Sequence, residues 1–108
     1  MEINKTLFVA NLLSIYGGLL TENQRKIAEE YYYYDISLSE IAANNGITRQ
    51  GVNDTVKKVE ALLLSYEKKL QILNKNMQLK QNLMRVCDII ASENAKNKVL
   101  EIIEMLEV

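Results

Sequence analysis

The sequence predicts an all-α protein, with a helix-turn-helix domain in its N-terminal part and a helical extension after it. Apolar residues recur three and four positions apart along the 108 residues, which is the spacing of one face of an α-helix. No stretch alternates convincingly with the period of two that a strand requires. The chain also lacks proline, and its four glycines fall where helices are expected to begin or end.

The first helix is expected over residues 3–16, and the second begins after Thr21. Leu7 lies on the apolar stripe of the first helix with Phe8 beside it. Two glycines, at positions 17 and 18, end this helix because glycine adopts a left-handed conformation at low cost. Thr21 is placed to cap the second helix, and Gln24, three residues later, can complete a capping box.

Four consecutive tyrosines, Tyr31–Tyr34, stand near the end of the second helix. Successive residues of a helix are about 100° apart, so Tyr31 is expected near the middle of the inward face and Tyr33 on the outside. Tyr32 and Tyr34 fall on the flanks. A platform for stacking nucleic-acid bases needs several rings presented together, so the run favours packing of the helix end over base stacking.

The segment Ser37–Val59 has the features of a helix-turn-helix. Ser37 and Glu40 can form the capping box of a short helix over residues 38–44, and Thr48 can cap the helix that follows. Ala42 is small enough for the two helices to cross closely, and Gly46 can take the positive φ that a tight turn requires. The apolar residues expected to anchor the motif are Leu38, Ile41, Ile47 and Val52.

Apolar stripes continue to the end of the chain. The stripe of the fourth helix runs from Val52 to Met77, and the polar residues 74–76 are its expected break. Two further stripes, at residues 79–90 and 99–106, predict two C-terminal helices. We therefore expect a helix-turn-helix domain over residues 1–60 and an extension over residues 61–108. The stripes of this extension are too apolar for a lone helix to keep from water, so they predict a homodimer.

The motifs around the tyrosines are specific enough to indicate a family. LLTENQR is followed by YYYYDISLSEIA and then by TRQGVNDTVK, and this series resembles the YlxM-like helix-turn-helix family of Gram-positive bacteria. The middle of the chain is also similar, more distantly, to region 4 of bacterial sigma factors. The resemblance covers residues 5–70. Gly51 stands where that family usually has alanine, and Asn53 stands where an aromatic residue is common.

The resemblance implies a role in the signal recognition particle pathway, because genes of this family lie beside those of the particle's GTPase and receptor. It implies an accessory or regulatory protein that binds the particle's RNA or GTPase. Two alternatives stay open: a sequence-specific, DNA-binding transcriptional regulator, and a protein–protein adaptor that binds no nucleic acid. A basic surface on the recognition helix favours the nucleic-acid binders, and an acidic surface favours the adaptor.

The candidate nucleic-acid-binding residues are Thr48, Arg49, Gln50, Asn53, Lys57 and Lys58. The first turns of a DNA-bound recognition helix meet base edges, where arginine pairs with guanine and glutamine with adenine. The two lysines are expected to meet phosphates. Against this interpretation, Asp54 lies among the candidates, and residues 1–60 carry 6 basic and 8 acidic side chains. In the alternative interpretation, Thr48 only caps the helix and its neighbours are solvated.

Composition limits the other function classes. The apolar share of 48%, the charged share of 25% and the net charge of −1 are ordinary for a soluble domain. The chain has no histidine and one cysteine, Cys87, which predicts no Cys/His zinc site and no histidine general base. Without a phosphate-binding glycine loop either, we expect a non-enzymatic protein with no cofactor. The N-terminus does not resemble a signal peptide and no apolar run spans a bilayer, so we expect a cytoplasmic protein.

Overall fold

A computed structural model describes residues 3–106, and all their regular structure is helical. The α-helices are α1 (Ile3–Tyr16), α2 (Glu22–Tyr32), α3 (Leu38–Asn45), α4 (Arg49–Leu70), α5 (Ile72–Ile89) and α6 (Glu93–Leu106), with a 3-10 turn at Gly17–Leu19. The all-α prediction is confirmed. The chain divides into two compact units, Met1–Leu70 and Gln71–Val108. The boundary expected after residue 60 lies inside α4, which continues without a break to Leu70.

Side-chain caps set where α2 and α3 begin, but of the two predicted capping boxes only that of α2 is complete. Thr21 Oγ1 accepts a hydrogen bond from the Gln24 N–H at 3.1 Å, and the Thr21 N–H donates to Gln24 Oε1 at 3.1 Å. This reciprocal pair is a complete capping box. At α3, Ser37 Oγ accepts from the Glu40 N–H at 3.2 Å. These bonds join residues three apart, so local sequence is sufficient to specify both helix starts.

The core of the first unit surrounds α4, which contacts α1, α2 and α3. Its buried apolar residues are Val9, Leu12, Leu13, Tyr16, Ile27, Ala28, Tyr32, Ile41, Ala42, Val52, Val56, Val59 and Leu63. Leu7 and Phe8, predicted on or beside the apolar stripe of α1, are exposed instead. The reason for Leu7 is geometric: it precedes the buried Tyr16 by two and a half turns and therefore points to the opposite side of the helix.

The buried tyrosine of the run is Tyr32, and the prediction of Tyr31 was wrong. Tyr32 is 7% exposed, Tyr31 is half-buried and Tyr34 is 68% exposed. Tyr32 follows the fully buried Ala28 by one helical turn, so its ring continues the buried line of α2. It meets the Tyr31 ring edge to face, with centroids 4.9 Å apart. The rings face different surroundings. This arrangement fits the packing of a helix end and not a stacking platform, which needs several rings presented together.

The Tyr32 hydroxyl is buried, and its interaction with the neighbouring Glu60 carboxylate lacks the geometry of a full hydrogen bond. Burial first, and then the neighbouring Glu60 carboxylate, raise the pKa of Tyr32 above its ordinary value. The folded state therefore favours the neutral phenol. The free energy of unfolding is therefore unaffected by Tyr32 ionisation below about pH 10, and it falls as the pH rises further.

We expect Tyr32→Phe to leave the free energy of unfolding unchanged or to raise it by up to about 1 kcal/mol, because it removes a buried hydroxyl that lacks a full hydrogen bond. Tyr16→Phe is the matched control. The Tyr16 hydroxyl donates to Glu67 Oε1 at 2.6 Å in the core, so its loss should cost about 1–3 kcal/mol. Urea denaturation measures both variants. Equal destabilisation would show that Tyr32 also has a partner.

The helix break between α4 and α5 lies at Gln71, and the prediction of a break at residues 74–76 was wrong. Gln71 adopts a left-handed φ of 56°, which interrupts the helical hydrogen bonds after Leu70. Residues 74–76 lie inside α5. Nothing local indicates this break, because glutamine seldom takes a positive φ. None of the helices in residues 3–106 is long and apolar enough to cross a membrane.

Candidate nucleic-acid interface

The two helices of the helix-turn-helix are α3 and α4, which pack against each other. Ile41, Ala42 and Val52 are buried between the helices of this unit, as predicted. Gly46 ends α3 with a φ of 65°, which confirms the left-handed turn. Ile47 was expected to be a buried anchor but is exposed. It stands in the turn between α3 and α4 and not on the buried side of either helix.

The start of α4 is set by Thr48. Its Oγ1 accepts from the Gly51 N–H at 2.9 Å, which confirms the predicted cap. A Cβ added at Gly51 would lie 3.2 Å from this oxygen and 3.8 Å from Ile47 Cδ1. An alanine here would gain up to about 1 kcal/mol of helix propensity but would crowd the cap. Gly51 therefore leaves room for the hydroxyl that organises the first turn.

The candidate residues are Thr48, which caps α4, and five residues within the first three turns of this helix. Thr48, Arg49, Gln50, Lys57 and Lys58 are exposed, and Asn53 is half-buried. Three of them, Arg49, Gln50 and Asn53, line a concavity of about 280 Å³ together with Leu38 of α3. This concavity brings a guanidinium group and two amides to one place beside the helix start. Side chains of these types can bond to base edges.

Gln50 is held by a neighbour on the same helix. Its Nε2 donates to Asp54 Oδ1 at 2.9 Å, one turn further along α4. Pairing of Gln50 with both the N6 and N7 atoms of adenine requires its amide and its carbonyl to turn toward the same base. The bond to Asp54 would have to rearrange for that contact. Asp54 therefore affects the candidate interface through Gln50 as well as through its charge.

The basic side chains of α4 are exposed, whereas most of its acidic side chains are not, which the net charge of the chain does not show. Its five basic side chains are all exposed. Four of them lie on one side of the helix, and we refer to these as the basic face: Lys57, Lys58, Lys68 and Lys69. Of its three acids, only Asp54 is exposed. Glu60 pairs with Lys5 Nζ at 2.9 Å, and Glu67 is buried against the Tyr16 hydroxyl. The solvent-facing surface of α4 is therefore basic.

Sequence reasoning missed Lys68 and Lys69. A signal for them was available, because Lys57 and Lys68 are eleven positions apart and eleven residues make about three helical turns. The two lysine pairs consequently lie on the same side of α4. In contrast, no three His, Cys, Asp or Glu side chains of residues 3–106 are grouped so that they could hold a metal ion.

Comparison with known proteins gives a consistent family assignment. Residues 3–104 match the UPF0122 family, described as "Putative helix-turn-helix protein, YlxM / p13 like". A UPF0122 protein of Fusobacterium nucleatum is 39% identical over 101 residues, which are 94% of this chain and 97% of that protein. A UPF0122 protein of Halalkalibacterium halodurans is 35% identical over 105 residues, which are 97% of this chain and 96% of that protein. The chain belongs to the UPF0122 family of YlxM / p13-like helix-turn-helix proteins.

Proposed function

We propose that this protein is a non-enzymatic accessory or regulatory protein of the signal recognition particle pathway, and that it binds the particle's RNA through α4. The basic face of α4 carries the proposal. The helix exposes five basic side chains, four of them in this face, and one carboxylate, although residues 1–60 have an excess of acidic side chains. A basic recognition helix favours a protein that binds nucleic acid over a protein–protein adaptor, for which an acidic surface was expected.

The length of the basic face also favours a nucleic acid. Lys57 and Lys69 are twelve residues apart, which corresponds to roughly 18 Å along a helix. Several phosphates of a folded RNA lie within such a distance, and neutralising each of them releases counterions. A GTPase partner would need no such line of cations. The choice of the signal recognition particle comes from the family, whose genes neighbour those of the particle's proteins. We place the protein in the cytoplasm for the same reason, and we propose that it acts as a homodimer.

A second candidate function is sequence-specific binding of DNA by a transcriptional regulator. The concavity lined by Arg49, Gln50 and Asn53 favours it, because these side chains are suited to reading bases rather than phosphates. The two functions differ in what the same helix recognises. They can be separated by comparing RNA with DNA on one protein preparation.

Fluorescence anisotropy with labelled signal recognition particle RNA, an unrelated RNA of equal length and a DNA duplex tests the proposal. We expect tightest binding to the particle's RNA, with an affinity that falls as salt is raised. Arg49→Ala should weaken binding by about 1–3 kcal/mol, roughly 5- to 150-fold, without unfolding the protein. Lys26→Ala is the matched control, because Lys26 is an exposed base on α2.

Three outcomes would contradict the proposal. Tight, salt-insensitive binding to the purified GTPase with no RNA binding would indicate a protein partner. Preference for one DNA sequence would favour the transcriptional regulator. Equal weakening by Arg49→Ala and Lys26→Ala would show that total charge, and not α4, determines binding.

A further inference from the structure

The second unit is a pair of contacting helices with almost no core of its own. No residue of α6 is buried, and Leu73 is the single buried residue of α5. The apolar side chains in the middle of the pair are only half-buried: Leu83, Cys87, Val99 and Ile103. Two helices alone cannot enclose their apolar surfaces, so one side of this hairpin requires a cover.

One side of the hairpin has the residue spacing of a helix-bundle interface. We refer to these residues as the seam: Ile72, Asn76, Leu79, Leu83, Val86 and Ile90 in and just after α5, and Ala95, Val99, Ile102 and Leu106 in α6. Their positions advance by alternating steps of four and three, which keeps a line of side chains facing a partner helix. The helices are consecutive and right-handed, so both lines lie on the same side of the hairpin.

No member of the seam is charged, and Lys75 and Lys98 lie only on its flanks, whereas charges interrupt the line itself on the opposite side of the hairpin. There, Lys80 interrupts the line between Met77 and Met84, and Lys96 precedes Leu100. The cores of protein interfaces are depleted in charge. We refer to the side with Met77, Met84 and Leu100 as the methionine side. This difference in charge favours the seam over the methionine side as the surface that associates.

The seam and its two apolar flanking residues, Ile89 and Met105, together expose an apolar surface of the size of a small specific interface. Leu79 and Ile102 are 47% and 46% exposed, and the flanking Ile89 and Met105 are 83% and 81% exposed. Together with the exposed fraction of Val86, these fractions add up to about three whole side chains. At about 60–120 Å² of apolar area for each side chain, the exposed apolar area is roughly 200–400 Å². A small two-fold interface buries about 600 Å² on each partner, of which about 350 Å² is apolar.

Building on the homodimer of the proposed function, we propose that the seam is covered by the seam of a second copy of this chain, which produces a four-helix bundle with two-fold symmetry. A two-fold interface places the same surface on both partners, so an uncharged apolar line meets its own complement. Asn76 is the one polar side chain on the longer line. A single asparagine in such a line sets the register, because its counterpart in another copy can bond to it. A second copy therefore satisfies both the aliphatic positions and Asn76.

Sedimentation equilibrium of the full chain between about 1 and 100 µM tests this proposal. The 12.4 kDa chain should show twice its mass at the upper concentrations. The double variant Leu79→Lys, Ile102→Lys should be monomeric throughout, because it places four cations in the bundle. Circular dichroism establishes that its helices are retained. Should that variant lose helicity, Leu79→Ala with Ile102→Ala should still weaken the dimer at least tenfold.

The matched control is Met84→Lys with Leu100→Lys, which adds the same charge to the opposite side of the hairpin. This variant should stay dimeric. A single-chain mass for the unaltered protein at about 100 µM would refute the proposal. A monomeric control together with a dimeric seam variant would also refute the proposal, because this result would place the interface on the methionine side.

Discussion

Replacing Tyr32 with alanine should lower the free energy of unfolding by about 3–5 kcal/mol, the range for truncation of a buried large aromatic residue. Tyr32 is almost fully buried, and its ring contacts Tyr31 edge to face. Alanine would leave a ring-sized cavity where the end of α2 meets the core. A small domain is stabilised by only about 5–15 kcal/mol in total, so this variant should be close to unfolding in mild denaturant.

The neighbouring tyrosines are internal controls for this substitution. Tyr34→Ala should change stability by no more than about 0.5 kcal/mol, because Tyr34 is exposed. Tyr33→Ala should also have a small effect, limited to the contact of its hydroxyl with Ser14 Oγ at 2.9 Å. Chemical denaturation measures all of them. A greater loss from Tyr31→Ala than from Tyr32→Ala would show that the sequence-based assignment of the inward tyrosine was correct.

Reversing the charge of Lys57 and Lys58 should weaken nucleic-acid binding by at least about 100-fold at low salt. Each lysine lost from a phosphate removes a charge-assisted contact of about 1.5–3 kcal/mol, and each glutamate gained adds repulsion. The dependence of log affinity on log salt should become shallower by about two, one for each phosphate contact. Anisotropy titrations at several salt concentrations measure both quantities.

A control with the same change in net charge separates position from total charge. Lys26→Glu with Lys75→Glu also replaces two exposed lysines, but neither lies on α4. This variant should keep most of its affinity and a nearly unchanged salt dependence. If both double variants lost affinity to the same extent, the basic face of α4 would not be the binding surface.

Local sequence was sufficient for the helix starts and for the turn of the motif. Thr21, Ser37 and Thr48 cap their helices through bonds to residues three positions away, and Gly46 provides the positive φ. Such interactions depend on neighbours in the chain, so the residue types specify them directly. The same holds for the helical period, which predicted the fold class.

The tertiary structure decided which surfaces these helices present. The sequence by itself determined that Tyr31–Tyr34 end a helix, but the position of the surrounding helices decided that Tyr32 is the buried one. The total charge suggested an acidic domain, whereas burial of Glu67 and pairing of Glu60 with Lys5 leave α4 basic toward solvent. The partners of these two acids are distant in sequence. Charge totals cannot reveal such a surface, because they count side chains without regard to which ones the fold neutralises or buries.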